Sequence, residues 1–222
     1  MSVSVLIQAR MSSRRFPGKV LAPLQGKPII RHVLTAVEQA LPQGQIVVVT
    51  SSEQSDDPLV SYLNTLDVSV FRGPLENVFK RFRLCLSRYP CEWFLRVNAD
   101  SPLLNVRLLR AIIAYAGKVE CDLVTTIFPR TFPKGQNVEL IRTSSFMAID
   151  EATLSSDERE HVTPYFYRNP ERFRIVNIDS GNSGLAELGL AVDTVDDLLR
   201  LEQFYPQDVH ALLGQTVCWG GS

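Results

Sequence analysis

An α/β fold on a mostly parallel sheet is predicted from three observations. Short apolar runs of strand length, Val3–Ile7, Ile46–Thr50 and Trp93–Val97, read as buried strands. Between the first two, Ile30, Val33, Leu34, Val37 and Leu41 repeat at helical spacing. Each strand-like run breaks into a polar loop, so strand, loop, helix and strand arrive in order. That is the pattern of parallel strands joined by right-handed crossovers.

The elements follow one another along the chain. Val3–Ile7 opens into the loop Gln8–Lys19, and Pro28 suits a first helical turn. Pro42 and Gly44 end that helix before the strand Ile46–Thr50. A polar loop, 51–57, leads to a short helix from Pro58 to Leu66, then a strand over Val68–Phe71 ending in Arg72-Gly73-Pro74. Val78, Phe79, Phe82 and Leu86 mark the next helix, and Trp93–Val97 runs directly into Asn98-Ala99-Asp100-Ser101-Pro102. Asn105 caps a helix to about Ala116. Strands are expected at Asp122–Thr126, Asn137–Ile141, Phe173–Ile178 and Gly189–Val192. Thr143 is expected to cap one helix, Ser155 with Glu158 a second, and Thr194 with Asp197 a third through Phe204. The alternation is regular to about residue 117. The stretch 127–185 is less so, and reads as an irregular lobe of a single domain spanning 1–222.

The 222 residues are 45% apolar, enough for a packed core, and the formal net charge is -1. That balance argues against a general nucleic-acid or membrane-surface binder. The four cysteines, Cys85, Cys91, Cys121 and Cys218, have neither zinc-site nor disulfide-framework spacing. No signal peptide or long apolar span is evident, so a cytoplasmic protein is expected.

The first loop holds Arg10, Arg14, Arg15 and Lys19 at a strand's carboxyl end, where open α/β sheets bind ligands. Backbone N–H groups with Arg and Lys suit phosphate; a solvated basic loop is the plainer alternative. Asp100 and Asp193 each follow an apolar run, and in a parallel sheet both would face the basic loop. Two carboxylates plus phosphate oxygens make a hard-oxygen site suited to Mg²⁺. Alternatively, Asp100 is a turn residue and Asp193 sits just outside a helix N-terminus.

Gln8-Ala9-Arg10-Met11-Ser12-Ser13-Arg14-Arg15-Phe16-Pro17-Gly18-Lys19-Val20-Leu21 resembles the signature loop of the sugar cytidylyltransferases. The branch it looks most like is named for spore-coat polysaccharide biosynthesis, related to the synthetases of CMP-activated sialic acids and CMP-Kdo. The usual motif has Gly at the place of Ser12. Arg96–Leu103 looks like the family's second motif, with Asn98-Ala99 in place of Thr-Gly, and Val192–Leu198 like its closing motif. The resemblance implies a three-layer, Rossmann-like nucleotidyltransferase fold with a mixed, mostly parallel sheet. It implies Asp100 and Asp193 as Mg²⁺ ligands, and Gln8, Ala9, Arg10, Ser12, Ser13, Arg14 and Lys19 around the nucleotide. Arg72-Gly73 stands where the family reads the base, although an ordinary strand-to-helix turn would look the same. Arg130–Glu139 resembles the sugar-contacting segment, with Gln136 and Asn137 where Leu and Asp are common. Arg130, Gln136, Asn137, Glu139, Arg159 and His161 are its implied sugar contacts; a structural role is the plainer reading of His161.

The expected reaction is attack of a sugar hydroxyl on the α-phosphate of CTP, with pyrophosphate leaving and an acidic sugar of the sialic acid type as acceptor. Arg10, Lys19 and Asp100 would carry the chemistry through positioning and electrostatics. A homodimer is implied by the resemblance. Two alternatives stay open: a metal-dependent glycosyltransferase consuming a sugar nucleotide, and a nucleotide-binding homologue without turnover.

Overall fold

The protein's structure, a computed structural model, describes residues 1–204, 209 and 211–213; Cys218 lies outside them. A seven-stranded sheet runs β5-β4-β1-β6-β8-β7-β9. Its strands are β1 (Val3–Gln8), β4 (Gln45–Ser51), β5 (Ser69–Gly73), β6 (Trp93–Asn98), β7 (Leu123–Thr125), β8 (Glu139–Arg142) and β9 (Ile175–Asn177). A small hairpin, β2 (Pro23–Leu24) with β3 (Lys27–Pro28), stands apart. The pairs β1–β4, β4–β5, β1–β6 and β7–β9 are parallel, while β8 runs antiparallel to both β6 and β7. The sheet is therefore mixed and mostly parallel, as expected.

The central strands are mostly apolar because both faces are covered. On one side Val5, Ile7 and Val48 pack under α1 (Ile29–Ala40), α2 (Asp57–Asn64) and α4 (Val106–Ile113). On the other, Leu6, Val47, Val49 and Phe94 meet α3 (Val78–Arg88), α5 (Thr143–Met147) and α7 (Pro164–Arg168), and α6 (Ser156–His161) lies against α3 and α7. Phe146 sits 4.5 Å from Phe79 and 5.3 Å from Phe94, ring centre to ring centre. The predicted caps hold at Asn105, whose side chain accepts from the Leu108 N–H, and in two full capping boxes, Ser155/Glu158 and Thr194/Asp197.

Two local expectations are corrected. Thr143 is the first residue of α5 and makes no capping bond; Arg142 holds the flanking position. Gly189–Val192 is not a strand of the sheet. It is an extended segment whose Leu190 N–H donates to the Lys134 carbonyl at 2.6 Å and whose Val192 N–H donates to the Asp100 carbonyl at 2.8 Å. The helix after it, α8, spans Val195–Leu201 and stops short of Phe204.

The chain runs from β1 outward to β4 and β5, then returns to β6 on β1's other side. The sheet's order reverses between β1 and β6, the place where such sheets open a crevice at their carboxyl ends.

Candidate functional site

A cleft of about 390 Å³ opens at that reversal, within the range of small-molecule sites. One wall is the first loop: Arg10, Ser13, Arg14, Arg15 and Lys19. The floor is Asn98, Ala99 and Asp100 at the end of β6, with Asp193 beside them. Gln8, Val78, Arg96, Glu160 and His161 complete it.

The loop is shaped from both ends. The Ser13 and Gly18 N–H groups both donate to the Met11 carbonyl, at 2.9 and 2.8 Å, and Gly18 has φ 76°, where a side chain would be strained. The Met11 N–H donates at 2.7 Å to the Asp56 carboxylate. That carboxylate also accepts from Thr50 Oγ1, Ser51 N and Ser51 Oγ at 2.8, 2.9 and 2.5 Å. Burial alone would raise the Asp56 carboxyl; its hydrogen bonds from Ser51, Met11 and Thr50 outweigh that and hold it below the ordinary value.

Lys19 is buried, and its ammonium has three acceptors: Asp100 Oδ2 at 2.6 Å, the Val192 carbonyl at 2.8 Å and Asp193 Oδ1 at 3.0 Å. Two acids 93 positions apart thus converge on one cation. Asp193 is also paired with Arg15 at 3.0 Å and with Lys134. Burial raises the Asp193 carboxyl, but Lys134 and Lys19 together bring it down to about 2. Lys134 reaches it because Gly135 (φ 100°) lies against the backbone of Leu190, where an added Cβ would come within 2.5 Å of the carbonyl carbon.

Among the described residues no three His, Cys, Asp or Glu side chains gather as a protein-only metal site. Asp100 and Asp193 are hard oxygen donors at one point, and that pair fits a divalent cation whose remaining ligands come from a phosphorylated substrate and water.

The structure separates the expected residues into groups. Arg10, Ser13, Arg14, Lys19, Asp100 and Asp193 meet at the cleft, and Gln8 and Ala9 line it. Ser12 is exposed and outside its lining. Arg72 stands away from it. Its guanidinium donates to the Ser51 and Glu53 carbonyls at 3.0 and 2.8 Å and pairs with Asp57 at 2.7 Å, which binds the β4–α2 loop to β5. Gly73 is buried against Arg81, a fully buried arginine that holds the Pro74 and Leu75 carbonyls at 2.9 Å.

Of the six expected sugar contacts, only His161 lines the cleft, 3.6 Å from Asp157. Gln136 is fully buried and both ends of its amide are occupied, donating to the Leu103 carbonyl at 2.6 Å and accepting from the Asn105 N–H at 2.9 Å. It braces the start of α4. Arg130 is bonded to Asn137 at 2.5 Å outside the cleft, and Arg159 reaches back to the Glu151 carbonyl at 3.4 Å. Glu139 is buried behind Arg96, 2.5 Å from its Nη1.

Sequence reasoning missed Arg96, Glu160, Lys134, Asp56 and Arg81. An arginine inside an apolar strand, as Arg96 is, was a legible signal. Glu160, 3.5 Å from Arg10, had none.

Residues 4–211 match the model of a family described as cytidylyltransferase. The chain belongs to the cytidylyltransferase family. It is similar to the spore coat polysaccharide biosynthesis protein SpsF of Bacillus subtilis, 27% identical over 206 residues, 90% of this chain and 85% of that one. A solved cytidylyltransferase from Leptospira borgpetersenii is 27% identical and superposes with a TM-score of 0.87 over 97% of this chain and 94% of its own. A CMP:2-keto-3-deoxy-manno-octonic acid synthetase complexed with CTP superposes at 0.67 over 98% of this chain and all of its own. At 16% identity that match speaks to the fold alone. For this cytidylyltransferase the nucleotidyltransferase fold expected from the sequence therefore holds. No helix among the described residues is long and apolar enough to cross a membrane.

Proposed function

We propose that this cytidylyltransferase transfers CMP from CTP to a hydroxyl of an acidic sugar of the sialic acid type, releasing pyrophosphate, in the making of a surface polysaccharide. The observation that carries this reading is the Lys19 ammonium, held by Asp100, Asp193 and the Val192 carbonyl at the edge of a cation-lined cleft. Arg10, Arg14, Arg15 and Lys19 form a wall suited to a triphosphate, and they stabilise charge growing on the leaving pyrophosphate. Asp100 and Asp193 would hold Mg²⁺; when bound, that ion neutralises phosphate charge and favours in-line attack. The segment 73–78, fixed by Arg81, is the part assigned to cytosine. The other side of the cleft, at Asn98 and His161, is left for the acceptor. The acidic acceptor draws on the resemblance of the loop Gln8–Leu21 to that of the synthetases of CMP-activated sialic acids and CMP-Kdo. The expected assembly is a homodimer.

The test is pyrophosphate release from each nucleoside triphosphate with Mg²⁺ and a panel of acidic sugars. Turnover with CTP that depends on the acceptor supports the reading. Calorimetric CTP binding with no turnover on any acceptor would make the chain a nucleotide-binding relative instead. Asp100→Asn is expected to lower kcat by roughly 100-fold or more with little change in melting temperature.

A further inference from the structure

Arg96 lines the cleft, and its side chain is tied into a chain of polar groups running back into the core. Its Nη1 donates to Glu139 at 2.5 Å. The other oxygen of Glu139 accepts from Tyr167 at 2.5 Å, and the Tyr167 hydroxyl meets Thr125 Oγ1 at 2.8 Å. Toward the cleft, Arg96 Nε and Nη2 both point at Gln8 Oε1, at 3.2 and 2.7 Å, and Nη2 also lies 3.5 Å from Asn98 Oδ1. Gln8 and Asn98 face each other across the β1–β6 pair.

A guanidinium only donates, so the amide atom turned toward it is the oxygen. The Gln8 amide is therefore fixed with its NH₂ group away from Arg96. Among the described residues that nitrogen has no protein acceptor, although Gln8 lines the cleft. The positive charge of Arg96 is met by buried Glu139. What this wall offers a ligand is uncharged N–H donors. They lie on the β6 side of β1, away from β5 and the segment 73–78 that follows it.

We propose that Gln8 is a specificity-determining donor for the acceptor sugar, reading one of its oxygen lone pairs, and that Arg96, held by Glu139 and Tyr167, is the positioning residue that fixes its polarity. This rests on the proposed transfer reaction and reassigns Gln8 from the nucleotide to the acceptor.

The experiment compares Gln8→Leu, Gln8→Glu and Arg96→Lys with the parent enzyme. It measures acceptor KM and kcat at saturating CTP, and CTP affinity by calorimetry. Both Gln8 variants keep the Arg96–Glu139 pair, so their folding, checked by melting temperature, is expected to hold. Removing the donor should raise acceptor KM about tenfold or more, the usual effect of leaving a buried polar partner unmatched, with CTP affinity within about twofold of the parent. Arg96→Lys, which cannot fork onto Gln8 and Glu139 together, should move KM in the same direction. A loosened scaffold would weaken CTP binding as well. Acceptor KM within about twofold of the parent in both Gln8 variants, or CTP affinity falling in step with it, overturns the inference. A parent enzyme that makes no pyrophosphate with any acceptor fails the transfer reading, and this inference with it; a parent that turns over and is matched by its variants fails this inference alone.

Discussion

Replacing Asp56 with Asn tests what holds the cation-bearing first loop. The carboxylate has two jobs at once: Oδ2 takes three donors from Thr50 and Ser51 on β4, and Oδ1 takes the Met11 N–H. An amide has the same shape but one acceptor. In its better orientation the oxygen keeps the three β4 donors, and the NH₂ is turned on the Met11 N–H. The two hydroxyls can rotate to compensate; the Met11 N–H cannot. Losing a charge-assisted bond costs roughly 1.5–3 kcal/mol, and demoting the other three to neutral bonds costs about 0.5 kcal/mol each. The sum is a destabilisation of about 3–5 kcal/mol, in a loop that carries Arg10 through Lys19. Urea unfolding followed by tryptophan fluorescence measures the first part, and calorimetric CTP affinity the second. A variant within about 0.5 kcal/mol of the parent, with CTP binding unchanged, would refute the reasoning that this buried acid shapes the loop.

Three further outcomes follow from the same contacts. Asp193 is depressed to about 2, so its contribution to stability is full above the unfolded carboxyl value near 4 and is lost as pH falls toward 2. It amounts to about 2 kcal/mol, and Asp56 acts in the same direction. Acid unfolding of Lys134→Met should lose part of that dependence. Gly135→Ala meets both a positive φ and the Leu190 backbone, and should cost about 2–4 kcal/mol in melting experiments. Lys19→Met leaves Asp100 and Asp193 facing each other without their shared cation, and should weaken CTP binding in calorimetry by at least tenfold.

Much of the sheet was legible because its signals are local. An apolar run at Val3–Ile7, helical spacing from Ile30 to Leu41, and capping boxes at Ser155/Glu158 and Thr194/Asp197 depend on residues a few places apart. The meeting of the Lys19 loop with Asp100 was legible for a different reason: Asp100 comes just after β6 and the loop follows β1, and a parallel sheet brings such ends to one edge. Gly189–Val192 misled because an apolar run of four looks the same whether it joins the sheet or covers its end. Its hydrogen bonds go to Lys134 and Asp100, partners no periodicity announces.

The polar residues behind the site obey no local pattern at all. Asp56 and Asp57 are neighbours in a run of acids and hydroxyls, yet one is buried with four donors and the other is an exposed partner of Arg72. Glu139 and Gln136 sit in a segment that resembles a sugar-contacting motif, and burial turns both into supports. Which of two similar polar groups meets solvent depends on distant partners as well as near ones: Asp56 takes the Met11 N–H 45 residues away beside Thr50 and Ser51, Glu139 meets Arg96 43 away, and Gln136 accepts from Asn105 31 away. A buried carboxylate survives only where those partners are already in place. Resemblance can therefore nominate the residues of a motif, but the division between those that touch ligand and those that aim their neighbours is a property of the folded network. Gln8 and Glu139 show the contrast: the Gln8 amide nitrogen, at the cleft wall, has no acceptor among the described residues, while both Glu139 oxygens are taken by Arg96 and Tyr167.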